Sequence, residues 1–336
     1  MASKARKLLT TLRINRIMFL DLLLIVVGVA LVLKGADFLT KGGADLARRM
    51  NVPELVVGLT IVAAGTSAPE LFVSLVSALK GTPDLAVGNV VGSNIMNTLV
   101  IVGITAMVAP MAIARQTVSK DMPFTVLASV LLMLVALDSL QSLNLQGNVI
   151  SRLDGVLLLM GFAAFMYYTF REARKGHAEP EEVGKKPLSV WVCLVLMVLG
   201  LTMLVLGSEL FVRYASALAV TLGVSESVIG LTIVAGGTSL PELATSVVAA
   251  RKGQSAMAIG NVIGSNVFNI LLILGTTAVV CPMQIGGITI IDMGVMLNAV
   301  LLLWLFSYTK LMVARWEGAV LTTVYLAYLG WLLYNV

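Results

Sequence analysis

Two copies of one hexapeptide hold the residues of this chain best able to do chemistry: GTSAPE at 65–70 and GTSLPE at 237–242. Each sets a glycine, two hydroxyls, a proline and a carboxylate in the middle of an apolar run. Proline lacks an amide hydrogen and obstructs the carbonyl four residues back, so Pro69 and Pro241 are expected to free backbone oxygens around Gly65 and Gly237. On a helix Thr66 and Glu70 stand i, i+4 on one face, as do Thr238 and Glu242. Each pair can therefore converge on one ion. An ionised carboxylate at bilayer depth costs a few kcal/mol unless it faces a cavity or a cation, and two at equivalent positions read as functional rather than structural.

A second polar pair follows in GNVVGSNIMN (88–97) and GNVIGSNVFN (260–269). Ser93 and Asn97 are again i, i+4 neighbours, as are Ser265 and Asn269, and these spacings aim the amides toward the two glutamates. Gly88, Gly92, Gly260 and Gly264 suit close helix approach. The available ligands are carboxylates, hydroxyls, amides and carbonyls. Such a set selects hard cations: Ca²⁺, which takes about 6–8 oxygens, or Na⁺, K⁺ and protons. The competing reading, that small polar residues are packing glue between helices, stands level for single serines and glycines but not for glutamates beside prolines. Asp37, Glu54, Glu209 and Glu226 lie near span ends, where interfacial or gating roles are as well supported as coordination.

The elements that must position these residues follow from composition. Of 336 residues, 58% are apolar and 12% charged, with a mean hydropathy of +0.97. A soluble domain carries about 25% charge, so a water-soluble domain is excluded. Runs of about 20 apolar residues place helices at 18–38, 52–79, 85–109, 121–137, 153–170, 190–212, 224–251, 257–281, 291–309 and 318–335. The fold class is thus all-α, a polytopic membrane protein of ten transmembrane helices. Cys193 and Cys281 lie inside apolar runs and His177 in a polar stretch, which argues against a disulfide framework, a zinc site, haem and His-triad chemistry. No GxxxxGK[ST] motif is present. The net charge of +5 marks cytoplasmic loops rather than a nucleic-acid partner.

Residues 58–111 align without a gap to 230–283, with 33 of 54 positions identical at an offset of 172. The offset extends backward through Gly28 and Gly200, Gly35 and Gly207, Asp37 and Glu209. Further on, RLDG at 152–155 corresponds to RWEG at 315–318. The chain divides into a basic tail (1–17), a first five-helix repeat (18–170), a cytoplasmic linker (171–189) and a second repeat (190–336). Five spans per repeat is an odd number, so the two halves cross the membrane in opposite senses, an arrangement found in alternating-access transporters. With the linker inside, 15 of the 23 basic residues fall on cytoplasmic segments and three, Lys80, Arg152 and Arg213, on outside loops. Both termini then face outward at the plasma (inner) membrane. Five basic residues of the tail oppose this topology. The alternative is a start at Met18, with 1–17 an upstream extension.

The duplicated GTSAPE/GTSLPE and GNVVGSN/GNVIGSN blocks resemble the alpha-repeats of the cation/calcium antiporter superfamily, in particular prokaryotic sodium/calcium exchangers. The resemblance covers both halves. It implies Ca²⁺ exchanged for Na⁺ at a midplane site lined by helices two, three, seven and eight. Carried onto this chain, the calcium ligands are Glu70, Glu242, Thr66 and Thr238. Ser67, Ser239, Ser93 and Ser265, with the carbonyls of Ala63 and Ala235, serve sodium. Several members of the family have an aspartate where this chain has Asn269, so the site here offers two carboxylates, a charge of −2. That charge balances one Ca²⁺, two Na⁺ or two H⁺. Ca²⁺/H⁺ or K⁺-dependent antiport is the alternative, followed by a cation channel; intramembrane hydrolysis has no paired base or activated nucleophile to support it. The expected partners are the two ions and the lipid bilayer, with a homo-oligomer compatible, no cofactor and no enzymatic activity.

Overall fold

The computed structural model describes residues 2–137, 149–174, 187–222 and 235–335, with side chains of 2–17, Leu137, Ala235 and Asn335 left aside. His177, most of the 171–189 linker, Glu226 and residues 224–234 of the expected 224–251 span lie outside the described residues. The helices are α1 (Ala2–Met50), α2 (Glu54–Thr66), α3 (Ala68–Leu79), α4 (Pro83–Val108), α5 (Met122–Leu137), α6 (Arg152–Ala173), α7 (Val190–Thr221), α8 (Ala235–Thr238), α9 (Leu240–Arg251), α10 (Ser255–Val280), α11 (Ile290–Lys310) and α12 (Arg315–Asn335). Seven helices among the described residues are long and apolar enough to span a bilayer, and the bent pair α2/α3 makes an eighth. The segment expected over 318–335 lies within α12.

The first helix extends well past residue 38, where the apolar run weakens. No breaker occurs until Asn51, whose φ of 54° is left-handed, and Pro53, which cannot continue a helix. The α2/α3 pair breaks at Ser67 because Pro69, in the first turn of α3, cannot donate to the preceding turn; the two pieces meet at 45°. The break recurs at Ser239, before Pro241. Gly81 and Gly253, with φ of 77° and 80°, turn the chain after α3 and α9 in a conformation that L side chains resist.

At the centre lie α4 and α10, the latter almost wholly buried. Each carries a π-helical turn, Asn97–Ile101 and Phe268–Ile273. Around them pack α2/α3 and α8/α9, then the antiparallel pair α1/α7, whose backbones touch through glycines. A methyl group on Gly28 would stand 2.8 Å from the Gly207 carbonyl oxygen, and one on Gly35 2.7 Å from that of Gly200. In the same manner Gly103 of α4 meets Gly318 of α12, and Gly275 of α10 meets Gly155 of α6. Two short antiparallel pairings are the departure from an all-helical chain among the described residues: β1 (Met111–Ala112) with β4 (Met312–Val313), and β2 (Val149–Ile150) with β3 (Met283–Gln284). All three sets exchange partners between the sequence repeats: where residue i of the first meets residue j of the second, the equivalents of j and i also meet.

Candidate functional site

The two helix breaks bring the hydroxyls and carboxylates of the repeated hexapeptides into the centre. Glu70 and Glu242 are each 1% exposed, and neither has a Lys or Arg partner among the described residues. A bridge between the halves is direct: the Ser67 hydroxyl donates to Glu242 Oε1 at 3.2 Å. Its equivalent, Ser239, lies beside Glu70 but without a closed hydrogen bond at its Oγ. Thr66 Oγ1 stands 3.1 Å from both the Val62 carbonyl oxygen and Asn261 Oδ1, and its single proton serves one of them at a time.

The π-helical turn beginning at Asn97 packs against α9, which carries Glu242, and the turn containing Asn269 packs against α3, which carries Glu70. Extra residues in π turns re-aim side chains and recur at functional sites. Asn97 Nδ2 donates to Asn266 Oδ1 at 3.1 Å, and Asn266 Nδ2 to Thr98 Oγ1 at 2.8 Å.

Among the buried side-chain oxygens without a hydrogen-bond partner in the described residues, six belong to expected ligands: Glu70 Oε2, Glu242 Oε2, Asn97 Oδ1, Asn269 Oδ1, Ser239 Oγ and Ser265 Oγ. Buried polar groups are nearly always paired, and buried carboxylates without a counter-ion are costly. The donor set fits a hard cation as cargo: all oxygen, with a formal charge of −2 from Glu70 and Glu242. Among the described residues no cluster of three His, Cys, Asp or Glu forms.

Of the other expected ligands, Ser93 is buried (5% exposed) on α4 and Thr238 half-buried at the end of α8. Ala63 is fully buried, but its carbonyl already accepts the Ser67 amide at 2.9 Å, because α2 stays helical up to the break; one lone pair is left for an ion. Ala235 begins α8. Sequence reasoning missed Asn89 and Asn261. Asn89 donates to the Glu70 carbonyl at 3.2 Å and to Ser74 Oγ at 2.9 Å; Asn261 donates to the Glu242 carbonyl at 3.4 Å and to Ser246 Oγ at 3.1 Å. They hold the backbone of the carboxylate-bearing helices. Their signal was in view, an asparagine directly after the first glycine of each GNV block.

Fold and site together define a class: a multi-pass helical membrane protein with a buried acidic, all-oxygen centre. The sequence pattern of the family described as "Sodium/calcium exchanger protein" matches residues 20–171 and 192–334. The chain belongs to that family, whose members are transporters rather than enzymes, and is a cation/Ca²⁺ antiporter. It is 38% identical over 323 residues to a "Putative antiporter CaxA" of Alkalimonas amylolytica, covering 93% of this chain and 98% of the relative. It is 34% identical over 328 residues to the "Inner membrane protein YrbG" of Escherichia coli, covering 94% and 98%. The sodium-calcium exchanger NCX_Mj, solved after soaking with zero Na⁺ and Ca²⁺, superposes with a TM-score of 0.79 at 30% identity, covering 94% of this chain and 99% of that one.

Proposed function

We propose that the chain exchanges Ca²⁺ for Na⁺ across the plasma (inner) membrane by alternating access at the centre between the two helix breaks. The observation that carries this reading is the pair of buried carboxylates, Glu70 and Glu242, each with an unsatisfied oxygen and no basic partner among the described residues. A cation must neutralise them, and Ca²⁺ and Na⁺ compete for the same oxygens. Glu70, Glu242, Thr66 and Thr238 coordinate Ca²⁺. Ser67, Ser239, Ser93, Ser265, Asn97, Asn269 and the carbonyls of Ala63 and Ala235 complete the ion positions. Ten spans in two inverted repeats, 18–170 and 190–336, frame the site. The exchanged glycine and strand pairings support a pseudo-two-fold axis in the membrane plane. The excess of basic residues supports a cytoplasmic 171–189 linker and outward termini, and the inner-membrane name of the Escherichia coli relative agrees.

The test is Ca²⁺ uptake into proteoliposomes loaded with Na⁺, K⁺ or a proton gradient. Uptake that requires Na⁺ on the opposite side is expected. Uptake driven equally by protons would reassign the coupling ion, and uptake with no counter-ion at all would make the protein a channel. Thiol labelling at Ser189→Cys and Tyr334→Cys, without the native cysteines, should report opposite sides of the membrane.

A further inference from the structure

Lys252 follows directly on α9, the helix that carries Glu242, and reaches across to α1. An ammonium has three donors, and each finds an acceptor there: Asp37 Oδ1 at 2.6 Å, the Asp37 carbonyl at 3.1 Å and Thr40 Oγ1 at 2.9 Å. Lys34 holds the other Asp37 oxygen at 3.2 Å, and α9 packs along α1 beneath this contact. The 172-residue shift maps Lys252 onto Lys80 and Asp37 onto Glu209. That second couple is open: among the described residues neither Lys80 nor Glu209 has an ion-pair partner, both are exposed, and α3 has no comparable packing against α7. Arg213, one turn beyond Glu209, is the other cation in reach, and it lies over the Tyr214 ring at 5.8 Å.

Two couples of opposite charge, related by the repeat, are thus in opposite states. Their helices are not free to move separately, since α1 and α7 touch backbone to backbone at Gly28, Gly35, Gly200 and Gly207. We propose that Asp37–Lys252 and Glu209–Lys80 are alternating latches and positioning residues for transport: each joins the C-terminal end of one carboxylate-bearing helix to the α1/α7 pair, and one forms as the other parts. The proposal rests on the alternating-access reading. The latches are unequal. Thr40 and Lys34, which reinforce the first, correspond to Val212 and Leu206 in the second, so the state with Lys252 engaged is the favoured one. On the topology above, the engaged latch lies at the cytoplasmic face and the open one outside.

Charge reversal tests the couple that is open here. Glu209→Lys alone and Lys80→Glu alone should each slow Na⁺-dependent Ca²⁺ exchange about tenfold, with ⁴⁵Ca²⁺ binding in detergent held within about twofold because no ion ligand is touched. The double variant Lys80→Glu/Glu209→Lys should recover the rate. Single reversals without effect, or a double variant no faster than the singles, would overturn the latch. A second measurement stands apart from transport: Lys80→Cys/Glu209→Cys, with Cys193 and Cys281 replaced by alanine, treated with a short bismaleimide in Na⁺ and in Ca²⁺. Cross-linking that rises in one ion while Asp37→Cys/Lys252→Cys cross-linking falls supports the proposal; no cross-link in either ion refutes it. Should the parent show no counter-ion dependence, the antiport reading fails, and the cross-link still decides whether the two couples alternate.

Discussion

The two helix breaks share Gly-Thr-Ser-x-Pro-Glu and differ in how several of their side chains are buried and paired. At the first, Thr66 is 1% exposed and shares its hydroxyl with Asn261, itself fully buried on α10. At the second, Thr238 is half-buried, and so is Asn89, the residue equivalent to Asn261. Ser67 closes on Glu242, while Ser239 leaves its Oγ unpaired. Asn97 bonds Asn266 across the halves, whereas the equivalent reach, Asn269 to Asn94, is unmade: Asn94 Nδ2 turns back to the Val90 carbonyl at 2.7 Å. Identical residues in unlike surroundings mean that the asymmetry is not set by these residues alone.

The strongest way to break the comparison is at the carboxylates, where the halves should be equal. Glu70→Gln and Glu242→Gln remove one of two charges facing a divalent ion in a partly dry centre, and each should lower Ca²⁺ exchange by about 100-fold or more. Thermal unfolding in detergent should show both variants folded. Near-normal ⁴⁵Ca²⁺ uptake by either one would remove that glutamate from the ion path.

At the equivalent glycines of α10 and α4 the halves should diverge. A methyl group on Gly264 would stand 2.7 Å from both the Leu59 carbonyl oxygen and Ala63 Cβ, while around Gly92 nothing among the described residues lies within 4 Å. Gly264→Ala should therefore cost ~1–3 kcal/mol of stability. Gly92→Ala should be neutral or gain up to ~1 kcal/mol from helix propensity. Unfolding midpoints of the two variants measure this directly, and equal midpoints would mean that both faces pack alike.

Thiol accessibility sharpens the same contrast. In a background without Cys193 and Cys281, Thr238→Cys should react with a small hydrophilic maleimide about tenfold faster than Thr66→Cys, in proportion to its thiolate access. Saturating Ca²⁺ should narrow the gap, and equal rates in ion-free buffer would place the two breaks in equivalent environments.

The smallest effect is expected at Asn269→Asp, which takes the centre from −2 to −3. Protons and extra monovalent ions compete better at a more negative site. Ca²⁺ uptake by the variant should fall a few-fold more than the parent's between neutral and mildly acidic pH, and superimposable profiles would show that Asn269 does not face the ions.

Much of this was legible in one dimension. Apolar run lengths are set by bilayer thickness, so the membrane class and most helix positions followed from counting. The breaks followed from Pro69 and Pro241, since a missing amide hydrogen is a local property. The all-oxygen character of the expected ligands followed from residue types alone, with no thiol or imidazole among them. Less legible were the helix ends, because α1 continues to Asn51 on helix-forming residues after its apolarity fades, and the supporting asparagines Asn89 and Asn261, whose partners are carbonyls 19 residues away.

Sequence by itself determined that two equivalent polar segments interrupt the apolar runs, which residues they contain and why an all-oxygen set suits a hard cation. A repeat, however, is symmetric on paper. Which copy of Thr-Ser is sealed, which Lys–carboxylate couple is engaged and which glycine bears a neighbouring backbone were decided only by the tertiary structure. The physical reason is that these contacts join residues some 170–215 positions apart, brought together only by the packing of whole helices.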